Sequence, residues 1–251
     1  MVTKKQVQRE EVEAQDTHKH RHQPVGNGLK IKLDHLKTFE PLTDNQKTFF
    51  EMYKGGAYFI GLFGSPGVGK TFLALYKAIE EVLDKSNSFK QVVVVRSLVQ
   101  LREVGHLPGN LEEKQEIYEL PYKEACEVLF GRSDAWDRLK EQGYARFIST
   151  TAIRGISIDD AIIIVDENQN MNWSEINTII TRVGHRSKII FCGDFKQTDL
   201  IRSHKDQSAF HSFREVARSM TAFQEIYFTP DDIVRSSLVK DWIVACDKLG
   251  Y

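Results

Sequence analysis

Three cysteines in 251 residues, Cys126, Cys192 and Cys246, are odd in number, far apart and at no metal-ligand spacing. They exclude a disulfide framework and suit unpaired thiols in a reducing cytoplasm. Charge of one sign is lacking too: 34 basic and 35 acidic side chains leave a net charge of -1. That balance excludes a global pull toward nucleic acid or an anionic membrane. No apolar run is long enough to span a bilayer, and the charged N-terminus is not a secretory signal. The expectation is a cytoplasmic chain with one sizeable globular core, for which 41% hydrophobic and 27% charged residues are ordinary.

Apolar periodicity is nearly missing from the first 40 residues, where only Leu29, Ile31 and Leu33 alternate as a short strand would. The expected organisation is a flexible polar tail over residues 1–40 and one domain over 41–251. His18, His20 and His22 belong to a solvated run in that tail and are assigned no metal.

What is present begins at Gly64-Ser65-Pro66-Gly67-Val68-Gly69-Lys70-Thr71, a complete G-x-x-x-x-G-K-[ST] pattern. An apolar run of strand length, Tyr58–Phe63, precedes it, and Phe72, Leu75, Tyr76, Ile79, Val82 and Leu83 follow at helical spacing. Strand, loop and helix together make a phosphate cradle. The three glycines let backbone N–H groups turn inward at the positive end of the helix, and Ser65, Pro66, Val68 and Phe72 complete the nucleotide-binding set. Lys70 is expected to reach the β- and γ-phosphates and the Thr71 hydroxyl to ligate Mg²⁺, so ATP and Mg²⁺ are the predicted cofactors.

Further strands are predicted at Gln91–Val95, Arg146–Thr150, Ala161–Val165, Lys188–Cys192 and through Phe223, Ile226 and Phe228. An α/β fold follows, with a mostly parallel sheet flanked by helices and a helical insertion over residues 97–145. In the insertion a helix starts near Leu111, and Pro121 starts or kinks another; Trp136 and Tyr144 are core residues or base-stacking ones. Asp166 and Glu167 close the Ala161–Val165 strand where ligands bind on parallel sheets. Asp166 is expected to hold hydrated Mg²⁺, and Glu167 to deprotonate the attacking water. Gln197, in the loop after Cys192, is the candidate γ-phosphate sensor. Asn172 and Glu175 cap a helix that stops at Gly184. Gln46 has two readings that stay open: partner of Thr43 in a capping box, or reader of the adenine edge in the manner of the glutamine motif of helicases.

These blocks, with Arg96-Ser97, Gly105-His106-Leu107-Pro108-Gly109, Ile153-Arg154-Gly155, Thr181-Arg182-Val183-Gly184, Gly193-Asp194-x-x-Gln197-x-Asp199-Leu200 and Phe228-Thr229-x-x-Asp232-Ile233-Val234-Arg235, resemble the PhoH family in order. The resemblance implies a RecA-like P-loop ATPase core, similar to the first motor domain of superfamily-one helicases, acting on RNA. By the same analogy Arg96, Ser97, Thr150, Thr151 and Arg154 line a strand-binding edge. Asn168 stands where the family usually has Ala, and Val68 where it usually has Thr. The first 40 residues are too few for the PIN nuclease domain of some members, so ribonuclease activity is expected to be absent, and the bare core resembles a phage-encoded version. With one motor domain, the arginine that neutralises the transferring phosphoryl group is expected from a neighbouring subunit in a ring, a hexamer being one form. Arg235 is the candidate and Arg182 the reserve; the alternative pairs Arg235 with Asp231 or Asp232. A competing expectation from another class is a nucleotide-dependent switch or assembly scaffold for a protein partner.

Overall fold

The computed structural model describes residues 30–98, 111–194 and 204–249. One compact unit spans Ile31–Tyr251. Among the described residues, β-branched and aromatic runs form six strands: β1 (Phe59–Gly64), β2 (Gln91–Arg96), β3 (Ala145–Ser149), β4 (Ala161–Asp166), β5 (Lys188–Gly193) and β6 (Phe223–Phe228). Every pairing is parallel, in the order β3-β2-β4-β5-β1-β6. This is the α/β fold with a parallel sheet flanked by helices that the sequence implied.

Successive side chains of a strand face opposite ways, so a sheet covered on both faces needs apolar residues at every position. Ile60, Leu62, Val92, Val94, Ile162 and Ile164 enter one core. Helices α1 (Asp44–Lys54), α2 (Lys70–Leu83), α3 (Leu111–Phe130) and α4 (Ala135–Glu141) contribute to it. Phe59, Phe63, Val93, Val95, Ile163 and Val165 enter the other, with α5 (Trp173–Ile180) and α6 (His204–Arg218). Helix α7 (Ser237–Leu249) follows β6 and buries none of its residues fully.

Helix α3 runs unbroken through Pro121. Trp136 is wholly buried, and its indole N–H donates to Glu119 at 2.6 Å, so it belongs to the core rather than to a base-stacking surface. Tyr144 is half-buried against the same core.

Two expectations are corrected. Ile31 and Leu33 do not share a strand: a 3-10 turn spans Leu33–His35, and Leu29 lies outside the described residues. The packed domain begins at Ile31 rather than at 41. Ile31 is 2% exposed, and Leu36 and Phe39 pack on the first core, where the Phe39 ring meets Phe72 edge-on at 5.3 Å. Among the described residues no helix is long and apolar enough to cross a membrane.

The connection from β1 to β2 passes over β5 and β4, so the C-terminal ends of β1, β5 and β4 lie side by side. A crevice at such a reversal of strand order is where ligands bind open parallel sheets.

Candidate nucleotide site

The loop after β1 takes its shape from glycine. Gly64 has φ 119°, and a Cβ there would lie 1.9 Å from the Phe228 carbonyl oxygen. The same oxygen accepts the Ser65 N–H at 3.0 Å, which ties the loop to the end of β6. Gly67, with φ 74°, accepts the Val234 N–H at 3.2 Å through its carbonyl. Gly69, at φ 85°, caps α2 without a side chain. The first-turn N–H groups of α2 therefore face the loop's concavity, an anion site by construction. Val68 is wholly buried, so its side chain serves the core while its backbone serves the loop.

Lys70 curls over this loop and donates to the carbonyls of Gly64 (3.0 Å) and Ser65 (2.7 Å). Burial lowers its pKa below the usual lysine range, against the opposing pull of Asp194. Thr71 turns to β4, its hydroxyl donating to Asp166 Oδ1 at 2.6 Å. The other carboxylate oxygen, Oδ2, accepts from the Tyr122 hydroxyl at 2.7 Å. Among the described residues no three His, Cys, Asp or Glu side chains converge to cage a metal. One hydroxyl and one carboxylate fit Mg²⁺, which takes few protein oxygens and shares the rest with phosphate and water.

Glu167 adopts a left-handed backbone, φ 52°, which costs a non-glycine residue about 1–3 kcal/mol. Burial, then neighbouring Asp166, raises its pKa above the usual carboxylate range. A raised pKa makes it a better base for water. Gln169 holds it: Nε2 donates to Glu167 Oε2 at 2.5 Å, while Oε1 accepts the Asp194 N–H at 3.1 Å. Between them Asn168 is wholly buried, and neither polar atom of its amide has a partner among the described residues.

Pro66, Gly67, Lys70, Thr71, Asp166 and Glu167 open on one cleft of about 420 Å³, which Phe72 and Arg235 also line. Among the described residues the fold thus gathers most of the phosphate-loop set, though not Gly64, Ser65 or Val68, with the two carboxylates and Arg235. Arg235 is exposed, and a Cβ on Gly67 would lie 3.1 Å from its Cγ, so its stem rests on its own chain's loop. Asp232 is engaged elsewhere, accepting from Asn45 Nδ2 at 2.7 Å and the Thr229 N–H at 2.9 Å. Arg182 lies at the other end of the sheet, its carbonyl accepting the N–H of Ile158 ahead of β4. Gln197 lies outside the described residues.

Gln46 stands behind the loop and is 3% exposed. Its backbone N–H donates to Thr43 Oγ1 at 3.3 Å, half of the expected capping box. The side chain does something else: Oε1 accepts the Leu42 N–H at 2.8 Å and Nε2 donates to the Val68 carbonyl at 3.2 Å. It clasps α1 to the phosphate loop. Gln46→Ala is therefore expected to lower stability by about 1–3 kcal/mol, the cost of unpaired buried groups, with the ATP-to-GTP preference unchanged. A tenfold change in that preference, with little loss of melting temperature, would restore the adenine reading.

The five strand-edge residues do not behave alike. Arg96 pairs in register with Asp166 and sits 5.8 Å from the Tyr118 ring. Burial opposes its charge, but Tyr122, Asp166 and Glu167 outweigh it and raise the pKa. Ser97 and Thr150 both donate to Glu175 Oε1, at 2.9 and 2.6 Å. Only Thr151 and Arg154 are exposed. Tyr122, the hold of Gln169 on Glu167 and the tie from Glu175 escaped sequence reasoning. Asn172 and Glu175 announce a cap, which is present on α5, although that helix ends at Ile180, short of Gly184. Nothing local reports a hydroxyl arriving from another element of the fold.

The family model described as "PhoH-like protein" matches residues 38–247. A PhoH-like protein of Bacillus subtilis (strain 168) is 32% identical over 213 residues, covering 84% of this chain and 65% of the relative. A PhoH-like protein of Mycobacterium leprae (strain TN) is 30% identical, covering 86% and 61%. The chain thus spans under two thirds of the length of these relatives. Among solved structures it is similar to the large terminase of a thermophilic bacteriophage in complex with ADP, at 15% identity and TM-score 0.45, covering 80% of this chain and 49% of that one.

Proposed function

The chain belongs to the PhoH-like protein family, and from that premise we propose that it couples Mg²⁺-dependent ATP hydrolysis to binding of single-stranded RNA. The observation that carries the hydrolytic part is the 2.6 Å bond from Thr71 to Asp166, with Lys70 and Glu167 on the same cleft. Bound Mg²⁺ would neutralise phosphate charge and polarise the phosphoryl group. Thr71 and Asp166 would hold it. The N–H groups of the loop and of the first turn of α2 bind the phosphate oxygens, and Lys70 leaves its loop carbonyls for them. Glu167, fixed by Gln169, takes the proton of the attacking water. Arg235 completes the positive surround from the same subunit, because its stem already rests on Gly67 of its own loop. On this reading the chemistry does not require a ring.

For the RNA part, support is the family and the position of Arg96, which joins the strand edge to the carboxylates. Single-stranded RNA is expected to raise the ATPase rate, and Arg154→Ala to raise the RNA concentration for half-maximal stimulation several-fold. Stimulation should fall steeply between about 50 and about 200 mM salt, as phosphate contacts do. A rate indifferent to RNA at low salt would favour the switch or scaffold reading.

A further inference from the structure

The hydroxyl of Tyr122 is the one group that the helical insertion hydrogen-bonds to Asp166 among the described residues. It belongs to the helical insertion, 44 residues before the carboxylate to which it donates. Its ring is built for packing: the side chain is wholly buried, with ring centroids of Trp136 and Phe147 at 5.7 and 5.9 Å, while the charged Arg96 neighbours the hydroxyl itself. Phe would fill this space as well and would spare the burial of a hydroxyl, which costs free energy unless it is hydrogen-bonded. The ring is moreover immobilised. Trp136 is anchored through Glu119, which also accepts from Lys140 at 2.6 Å and from Gln115 at 3.1 Å, locking α3 to α4. The phenol is thereby aimed at one oxygen of Asp166 while Thr71 takes the other.

Resting on the Mg²⁺-ATP reading above, we propose that Tyr122 is a positioning residue that fixes the rotation of the Asp166 carboxylate, so that the insertion helix α3 sets Mg²⁺ affinity separately from nucleotide affinity. A carboxylate held by a single hydroxyl can rotate about its last bond. Held at both oxygens, it presents one orientation toward the Thr71 hydroxyl. Phosphate binding by the loop uses other groups and does not depend on this bond. Fixing a metal-facing carboxylate through an outer hydrogen bond is worth about 10–100-fold in metal affinity where it has been tested.

The test is Tyr122→Phe in the full chain, read by thermal shift with ADP alone and with ADP over a Mg²⁺ titration, and by the Mg²⁺ dependence of ATPase rate. The ADP-only shift should match that of the unmodified chain. The Mg²⁺ concentration for half the additional shift should rise fivefold or more, and the ATPase midpoint should move with it while the rate at saturating Mg²⁺ largely recovers. Midpoints within twofold of the unmodified chain would overturn the proposal. So would loss of the ADP-only shift or of cooperative folding, since the hydroxyl would then be a strut of the fold rather than of Asp166. An unmodified chain with no shift for ADP at any Mg²⁺ concentration would overturn the nucleotide reading itself, and the proposal with it.

Discussion

Lys70→Ala should abolish nucleotide binding, whereas Glu167→Gln should bind ATP at least as well as the unmodified chain and turn it over about 10²–10⁴-fold more slowly, the usual contribution of a positioned general base. The two substitutions separate ground-state charge from proton transfer. Lys70 lies directly on the phosphate loop, its ammonium in contact with the carbonyls of Gly64 and Ser65. Removing it leaves the N–H cradle without its point charge. Glu167 instead lines the same cleft from a strained backbone, and Gln keeps its shape and its link to Gln169 while losing the basic oxygen. Fluorescent-nucleotide binding and single-turnover hydrolysis would read the two effects. Ordinary turnover by purified Glu167→Gln protein would remove Glu167 from the mechanism.

The second large effect is expected at Arg235. Charge developing on the γ-phosphoryl group needs a cation beyond Lys70, and loss of one such transition-state partner costs about 10²–10³-fold in rate. Arg235→Ala should lose turnover to that extent with ATP binding intact. Because the stem of Arg235 packs on its own loop at Gly67, mixing Arg235→Ala with Lys70→Ala subunits should restore nothing. Recovery of activity on mixing would show that a neighbouring subunit donates the arginine, in the ring that the sequence suggested.

Why some of the site could be read from the chain and some could not is a matter of range. The phosphate loop is a local object: Gly64, Gly67 and Gly69 are demanded by backbone angles, and strand and helix flank them without interruption. Asp166 and Glu167 betray themselves as charges at the end of an apolar run. Leu29, Ile31 and Leu33 misled because three alternating residues are too few to separate a strand from a turn that lays Ile31 in the core. Gln46 was legible as a capping residue, but its side chain reaches Val68, 22 residues away.

The sequence by itself determined the parallel sheet, the loop that can cradle phosphates and the acidic pair beyond β4, because each is fixed by periodicity or by backbone requirements within a few residues. Only the tertiary structure decided that Thr71 meets Asp166 across 95 residues, that Tyr122 reaches the same carboxylate from the insertion, and that Arg235 rests on Gly67 of its own chain. Those contacts depend on which strands become neighbours and how helices lie over their ends. That order is settled by burial summed over the whole sheet, and no short stretch of residues carries it.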